Sequence, residues 1–545
     1  MKRFLAACAA LVALTAASGA SAAGWPSSVP VTNAVASKPF RAGGYAGYDP
    51  GATAPNPGSC RLGDYNANLS ESWISVQPGT ENLVGTSKVF FEKFSTFYNF
   101  HLGSIAFENG APVANNIVQG YECVSTGTQE MPPSWTNNTD PNVDFDTRGR
   151  AYQVTLPFNA FWANLHPNSN VGIVYSDDLG RTWVKGNGGN PLEKAPNWTS
   201  KSFGFVEDKQ WLAVDRFATS RFRDRVYAAW SIFNGFSTKI KFTYSADRGQ
   251  TFKKPVTLSS PSQTGPSNTY VYPAVDAGGN VYVAYVGWVD SNAKNRTETI
   301  FVSRSSDGGD SWSPFVAVAT PGTKIGCCYA NTRFRIGIIE NFAASQTYSG
   351  HLYVTWEDYD GAQFDVKFAQ STDYGLSWSE PVTVNDPDPN DQFQPSVASG
   401  PDGAVAVAYY DRRQACPADP AIGPADVGRT NFCVDVTLQA YKDAGAGAVP
   451  VLGNVRMTTF TFDPEQPLQT IDGIDQIACA AHRNPCTVRS FLGDYFGLAV
   501  SARNIYGFFV STHYPSSVIG DQGTPVHYQQ QILATVPRAG YGAGY

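Results

Sequence analysis

Apolar residues in this chain come in short runs, divided by polar turns at a steady spacing. Trp211-Leu212-Ala213-Val214-Asp215 is followed by Arg225-Val226-Tyr227-Ala228-Ala229-Trp230. The same couple returns as Tyr272-Pro273-Ala274-Val275-Asp276 with Asn280-Val281-Tyr282-Val283-Ala284-Tyr285. It returns again as Gln394-Pro395-Ser396-Val397-Ala398 with Ala404-Val405-Ala406-Val407-Ala408-Tyr409. Runs this short, rich in Val, Tyr and Trp, read as β-strands rather than helices. Grouping them gives seven modules, near residues 72–125, 140–185, 208–252, 269–312, 334–378, 391–445 and 490–535.

Four modules share an eight-residue frame, Ser-x-Asp-x-Gly-x-Thr/Ser-Trp/Phe, beginning at Ser176, Ser245, Ser305 and Ser371. A frame that recurs at near-regular spacing marks one structural unit built several times. Each copy follows a strand-like run. Asp can accept hydrogen bonds from residues further along a turn. Gly takes the positive φ of a tight hairpin, and the aromatic residue offers an apolar face for burial. The pattern resembles the Asp-box, or bacterial neuraminidase repeat, of sialidase-like β-propellers. That resemblance implies an all-β fold of four-stranded antiparallel blades. The module count gives seven blades; six is the alternative, if the first and last modules close one blade together. It also implies that Asp178, Asp247, Asp307 and Asp373 are scaffold, on the face away from any active site. Residues 71–545 read as one propeller, preceded by an irregular segment, 23–70, rich in Pro, Gly, Ala and Asn.

The first 22 residues read as a secretory signal peptide: Met1-Lys2-Arg3, an apolar run from Phe4, then Ala20-Ser21-Ala22. A secreted protein, periplasmic or extracellular, is expected, with no membrane span. Eight cysteines remain after residue 22, a number that suits disulfides in an exported chain. Cys416 with Cys433, Cys479 with Cys486, and Cys60 with Cys123 are the natural pairs; the adjacent Cys327 and Cys328 pair either with each other or with two separate partners. The net charge of −7 argues against a nucleic-acid partner, which calls for a basic field. A monomer that binds carbohydrate or a glycoconjugate is expected.

The sialidase resemblance implies arginines that grip a carboxylate, a Tyr nucleophile activated by Glu, and an acid/base Asp. Candidates are Tyr495 and Asp494 in Gly493-Asp494-Tyr495-Phe496, which opens the last module, and Glu357 in Trp356-Glu357-Asp358-Tyr359 at a strand end. Ligand-binding candidates are Arg335 in Arg333-Phe334-Arg335-Ile336-Gly337, and Tyr410, Asp411, Arg412 and Arg413. Arg216 joins them, together with Asp208-Lys209-Gln210-Trp211, as a possible channel lining. The first module departs from the family: no arginine occurs between Arg61 and Arg148. No cofactor and no metal site is expected. The run Asp386-Pro387-Asp388-Pro389-Asn390-Asp391 offers oxygen ligands of the kind calcium takes, without the EF-hand glycine or terminal Glu.

Three functions fit these residues: a glycoside hydrolase acting on terminal or acidic sugars, a non-catalytic extracellular propeller that binds glycans or proteins, and a polysaccharide lyase. Convergence of Arg335, Arg412 or Arg413, Tyr495 and Glu357 on one pocket would favour the enzyme.

Overall fold

The computed structural model describes residues 24–38, 68–90, 100–118, 137–158, 169–194, 206–233, 237–288, 297–324, 328–330, 332, 335–336, 340–414, 433–464, 470–471, 473–475, 491–542 and 544–545. These residues form antiparallel sheets built from units of four strands. Taken in chain order, the innermost strands of the units are Leu69–Val76; Asn137–Thr139 continued by Asp144–Phe145; Val206–Val214; Ser267–Val275; Glu340–Ala344; Gln392–Ser399; and Gly497–Val500. Each expected module from 72–125 to 490–535 overlaps one unit, but the outermost strands of the third to seventh units, Val256–Thr257, Val316–Ala319, Val382–Thr383, Ala448–Arg456 and Thr32–Val35, lie beyond the expected bounds. The third and fourth units join through a single parallel pairing, Thr238 with Ser267.

Each innermost strand lies against the next, and the last lies against the first. The approach of last to first is close. A Cβ added at Gly497 would come within 2.6 Å of the Ile74 nitrogen. Within the stretch read as irregular, Thr32–Val35 is a strand; it pairs with Gln530–Pro537 as the outermost strand of the seventh unit. The alternating pattern of the runs explains the packing. Successive side chains of a strand face opposite sides, so each sheet buries both faces between its neighbours. One such layer, between the third and fourth units, holds Tyr227, Phe242, Val281, Val283 and Tyr285.

The eight-residue frame forms the same hydrogen bonds in all four places. Ser176 Oγ donates to Asp178 Oδ1 and accepts from Gly180 N, while Asp178 accepts from both Thr182 N (2.8 Å) and Thr182 Oγ1 (2.6 Å). Asp247, Asp307 and Asp373 repeat the network. Burial pushes these carboxyls up, but the hydrogen bonds outweigh it and hold all four below the ordinary range. The frame's last residue docks on the preceding unit: Trp312 meets Phe242 edge-on at 4.8 Å. Gly309, at φ 99°, leaves no room for a side chain, because a Cβ would sit 2.9 Å from Phe242.

Cys328 and Cys433 are each part of a disulfide. The expected cysteines Cys60, Cys123, Cys327, Cys416, Cys479 and Cys486 lie outside the described residues, as does the 1–22 leader. Among the described residues, no helix is long and apolar enough to cross a membrane, and no group of three or more His, Cys, Asp or Glu is placed to hold a metal.

Candidate active site

The innermost strands share an irregularity. The ladder slips between Ser70 and Trp73, between Asp208 and Trp211, between Thr269 and Tyr272, and between Phe393 and Ser396. In the second unit it breaks between Thr139 and Asp144. At each slip or break a non-glycine residue takes left-handed backbone: Glu71 (φ 50°), Asp140 (54°), Lys209 (52°), Tyr270 (57°) and Gln394 (46°). Bulges re-aim side chains, and such φ values cost on the order of 1–3 kcal/mol each, so their recurrence at matching places marks a constrained site. All five lie near the starts of the innermost strands. The Ser-x-Asp frames lie at the other end: Val214 pairs with Val226, which pairs with Ser245.

These residues meet in one charged cluster. Lys88, from the second strand of the first unit, lies 2.7 Å from Glu71. Lys209 lies 2.7 Å from Asp494 and 3.5 Å from Asp140. Arg335 grips Asp494 through both Nε, at 2.9 Å, and Nη2. Phe491 takes Arg335 at 4.6 Å and Lys88 at 4.9 Å from its ring centre. Lys209 stands 5.9 Å from the ring centre of Tyr270. Gln394 Nε2 donates to the Gly493 carbonyl at 2.7 Å. Every unit thus contributes, with Arg335 entering ahead of the fifth and Phe491 and Asp494 ahead of the seventh. Arg335 is the most open member, its side chain 43% exposed; Glu71, Asp140 and Asp494 are buried.

Aromatic rings form a floor beneath the charges. Trp211 contacts Trp73 at 4.6 Å, Tyr272 at 4.9 Å and Tyr495 at 4.9 Å, all edge-on. Trp73 and Trp211 each stand two residues after a left-handed position, as does Tyr272, which is why one bulge delivers both a polar group and a ring.

Burial and charge split the carboxyls. Burial pushes Glu71 up to about 7, more than Lys88 can offset. It pushes Asp208 up to about 6 against the pull of Lys209. Asp494 feels the same burial, but Arg335 and Lys209 hold it well below the usual carboxylate range. The Tyr270 hydroxyl is pushed up to about 12 by burial.

Of the residues expected from the sequence, Asp494 and Arg335 come together here, joined by Lys209, Asp208 and Trp211 of the expected channel lining. Tyr495 is adjacent but belongs to the floor: it is buried, and its hydroxyl donates to the Pro141 carbonyl at 3.1 Å. Glu357 lies behind Gln394, accepting from Gln394 N (3.0 Å) and the Tyr329 hydroxyl (2.8 Å). Tyr495 and Glu357 therefore do not form a nucleophile and its base.

Arg412, Arg413, Asp411 and Tyr410 stand outside the cluster. Arg412 is buried against Asp391 (2.9 Å), and Arg413 binds Asp411 (2.8 Å) and Asp386 (3.0 Å) and faces Trp25. The Tyr410 hydroxyl accepts from Val510 N. These groups brace the sixth and seventh units and the N-terminal segment. The two ends of the acidic run 386–391 are thereby occupied by arginines. Arg216 lies at the opposite end of the innermost strands, bound to Asp144 and the Val76 carbonyl beside a cavity of about 150 Å³.

Glu71, Lys88, Asp140, Tyr270 and Gln394 stand in no motif of the sequence. The signal was available in register: aligning the modules on Trp73, Trp211 and Tyr272 puts Glu71, Lys209 and Tyr270 in one column.

No family model and no curated protein matches the sequence. Solved structures do. The chain is similar to a Hadza microbial sialidase, Hz136, at 15% identity and TM-score 0.41, over 63% of this chain and 63% of that one. An α-L-arabinofuranosidase of Fusarium graminearum is similar at 11% identity and TM-score 0.43, over 68% and 92%. The NanB sialidase of Streptococcus pneumoniae is similar at 12% identity and TM-score 0.37, over 88% and 70%.

Proposed function

We propose that the chain is a secreted, seven-bladed β-propeller that hydrolyses a glycosidic bond at the mouth of its central channel. The blade count is supported by the run of touching innermost strands and by the cavity at their far ends. Val76, Val143, Val214, Val275, Ala344, Ser399 and Val500, drawn from all seven units, line that one space. The observation that carries the function is the convergence of left-handed bulge residues from five units on one charged cluster above an aromatic floor. Strain of this kind persists where the surroundings over-determine it, and it gathers at working sites. Rings beneath hydrogen-bonding groups suit a sugar, which has an apolar face and a hydroxylated rim.

The roles follow from the split between carboxyls, since groups pushed in opposite directions divide acid from base work. Glu71 keeps its proton near neutrality and protonates the leaving oxygen. Asp494 stays ionised and faces the positive charge that develops on the sugar ring, until water attacks the anomeric carbon and its proton returns to Glu71. A non-catalytic, glycan-binding propeller is the second reading. It is favoured by Tyr495 and Glu357, whose polar groups are spent on internal hydrogen bonds.

The test is turnover of a panel of aryl glycosides, including hexosides, pentosides, uronides and sialosides. Glu71→Gln is expected to lower kcat by about 10²–10⁴-fold, the usual worth of a general acid. Full activity in Glu71→Gln would remove Glu71 from the mechanism. Binding without turnover of any member would leave the binding reading.

A further inference from the structure

We infer that the saccharide taken by this cluster is neutral and rich in hydroxyls, and that it is not an anionic sugar. The inference rests on reading the cluster as a saccharide site, and it narrows that site's substrate class. An anionic sugar needs cations with free capacity. Among the described residues of the cluster there are three cations: Lys209 faces Asp494 and Asp140, Arg335 faces Asp494, and Lys88, beside Glu71, is itself buried. Four carboxyls, Glu71, Asp140, Asp208 and Asp494, surround these three cations. Bringing in another carboxylate would set it against Asp494 for Arg335, at the cost of stripping the partner from a buried charge.

What the cluster leaves unpartnered points the same way. Gln394 is buried, and its Nε2 is engaged by the Gly493 carbonyl, yet its Oε1 accepts no hydrogen bond. Asp140 is buried too, and its Oδ2 has no hydrogen bond, only the Lys209 ammonium 3.5 Å away. Buried polar atoms without partners are few in folded proteins, and each calls for an explanation. Both of these atoms are acceptors. A ligand that satisfies them must donate, which sugar hydroxyls do and carboxylates do not. Trp73 and Trp211 below offer rings to the apolar face of such a sugar.

Binding separates this inference from the hydrolase reading. Tryptophan fluorescence titrations of the full chain would compare matched methyl glycosides: galactose with galacturonic acid, and glucose with glucuronic acid. Arabinose, xylose and N-acetylneuraminic acid complete the set. The neutral member of a matched pair is expected to bind at least about tenfold tighter, the size of one discriminating buried hydrogen bond. Gln394→Ala is expected to erase about that factor for the neutral sugar, and a neutral sugar bound equally well by Gln394→Ala would overturn the role given to Oε1. Tighter binding of the uronide or sialic acid overturns the inference, as does turnover confined to anionic substrates. Absence of binding by every member overturns it as well. Neutral preference without turnover sustains the inference and defeats the hydrolase reading alone.

Discussion

Glu357 shows how much of the site's order is held by groups that touch nothing outside the protein. Its carboxyl is buried behind Gln394, and burial pushes it up to about 8 against the hydrogen bonds from Gln394 N and Tyr329. A carboxyl raised in the folded state favours folding in acid, and that contribution is lost as pH rises through the folded value. Glu357→Gln keeps an acceptor for both donors and cannot ionise. Its thermal midpoint, relative to the wild type, should therefore climb between about pH 5 and about pH 9. A constant difference across that range would show that folding does not raise the Glu357 carboxyl. Lys209 is the opposite case. Burial disfavours its charge, yet Asp140, Asp494 and Asp208 hold its proton far more tightly than usual. Lys209→Met would strand those carboxylates, so a loss of about 3–5 kcal/mol in denaturant unfolding is expected, as for breaking a buried ion pair from one side. A near-neutral result would mean that water reaches the carboxylates freely.

The strand units explain why the fold could be read from the sequence and most of the site could not. In the hairpin frame, backbone need and residue type coincide. Gly180, Gly249, Gly309 and Gly375 all take positive φ, and the Asp that clamps each turn is the same residue every time. Such a device repeats in letters as well as in shape. The bulges repeat only in shape: their left-handed positions hold Glu71, Asp140, Lys209, Tyr270 and Gln394, five residue types with no shared propensity for that backbone. The conformation is imposed by how neighbouring innermost strands pack, so nothing local announces it. Asp494, Arg335 and Lys209 were legible because charge beside an apolar strand-like run is itself a signal. Arg412 and Arg413 gave the same signal and serve as braces, since strand exits also need anchoring. The frame makes its own prediction. Asp307→Ala removes bonds to Ser311 N, Ser311 Oγ and Ser305 Oγ. At about 1 kcal/mol for each bond, some of it regained through water, a loss of about 1–3 kcal/mol in stability follows. Activity measured well below the unfolding midpoint should be untouched, because the frames lie at the far ends of the strands. A fall in kcat at full folding would break that separation of scaffold from site.

At the scale of the whole molecule, the cluster depends on a junction between the two ends of the chain. Glu71 belongs to the first unit and Asp494 leads into the seventh, and they sit together because Gly493 runs against Glu71. With φ at 117°, Gly493 has its Cα so placed that a Cβ would lie 2.5 Å from the Glu71 nitrogen. The covalent chain does nothing to hold these units together, since some 400 residues separate Glu71 from Gly493. The tie is made outside, by Thr32–Val35 on Gln530–Pro537, and by Trp25, whose ring lies 5.0 Å from Arg413 and 4.9 Å from Arg456 and whose Nε1 donates to Thr437. Ala34→Pro takes a donor out of this outermost strand and distorts the pairing opposite Leu533. Opening it also bares the edge of Gln530–Pro537, where aggregation starts. A proline at Ala114, in the outermost strand of the first unit, injures a strand of the same rank without touching the junction. Both variants should lose stability on the order of 3 kcal/mol, the usual cost of a misplaced proline. Only Ala34→Pro should also lose turnover at temperatures where it remains folded, because only that strand bears on how Glu71 meets Asp494. Equal turnover per folded molecule in the two variants would mean that the cluster is set by each unit alone, and that closure at the seventh unit serves stability without serving the site.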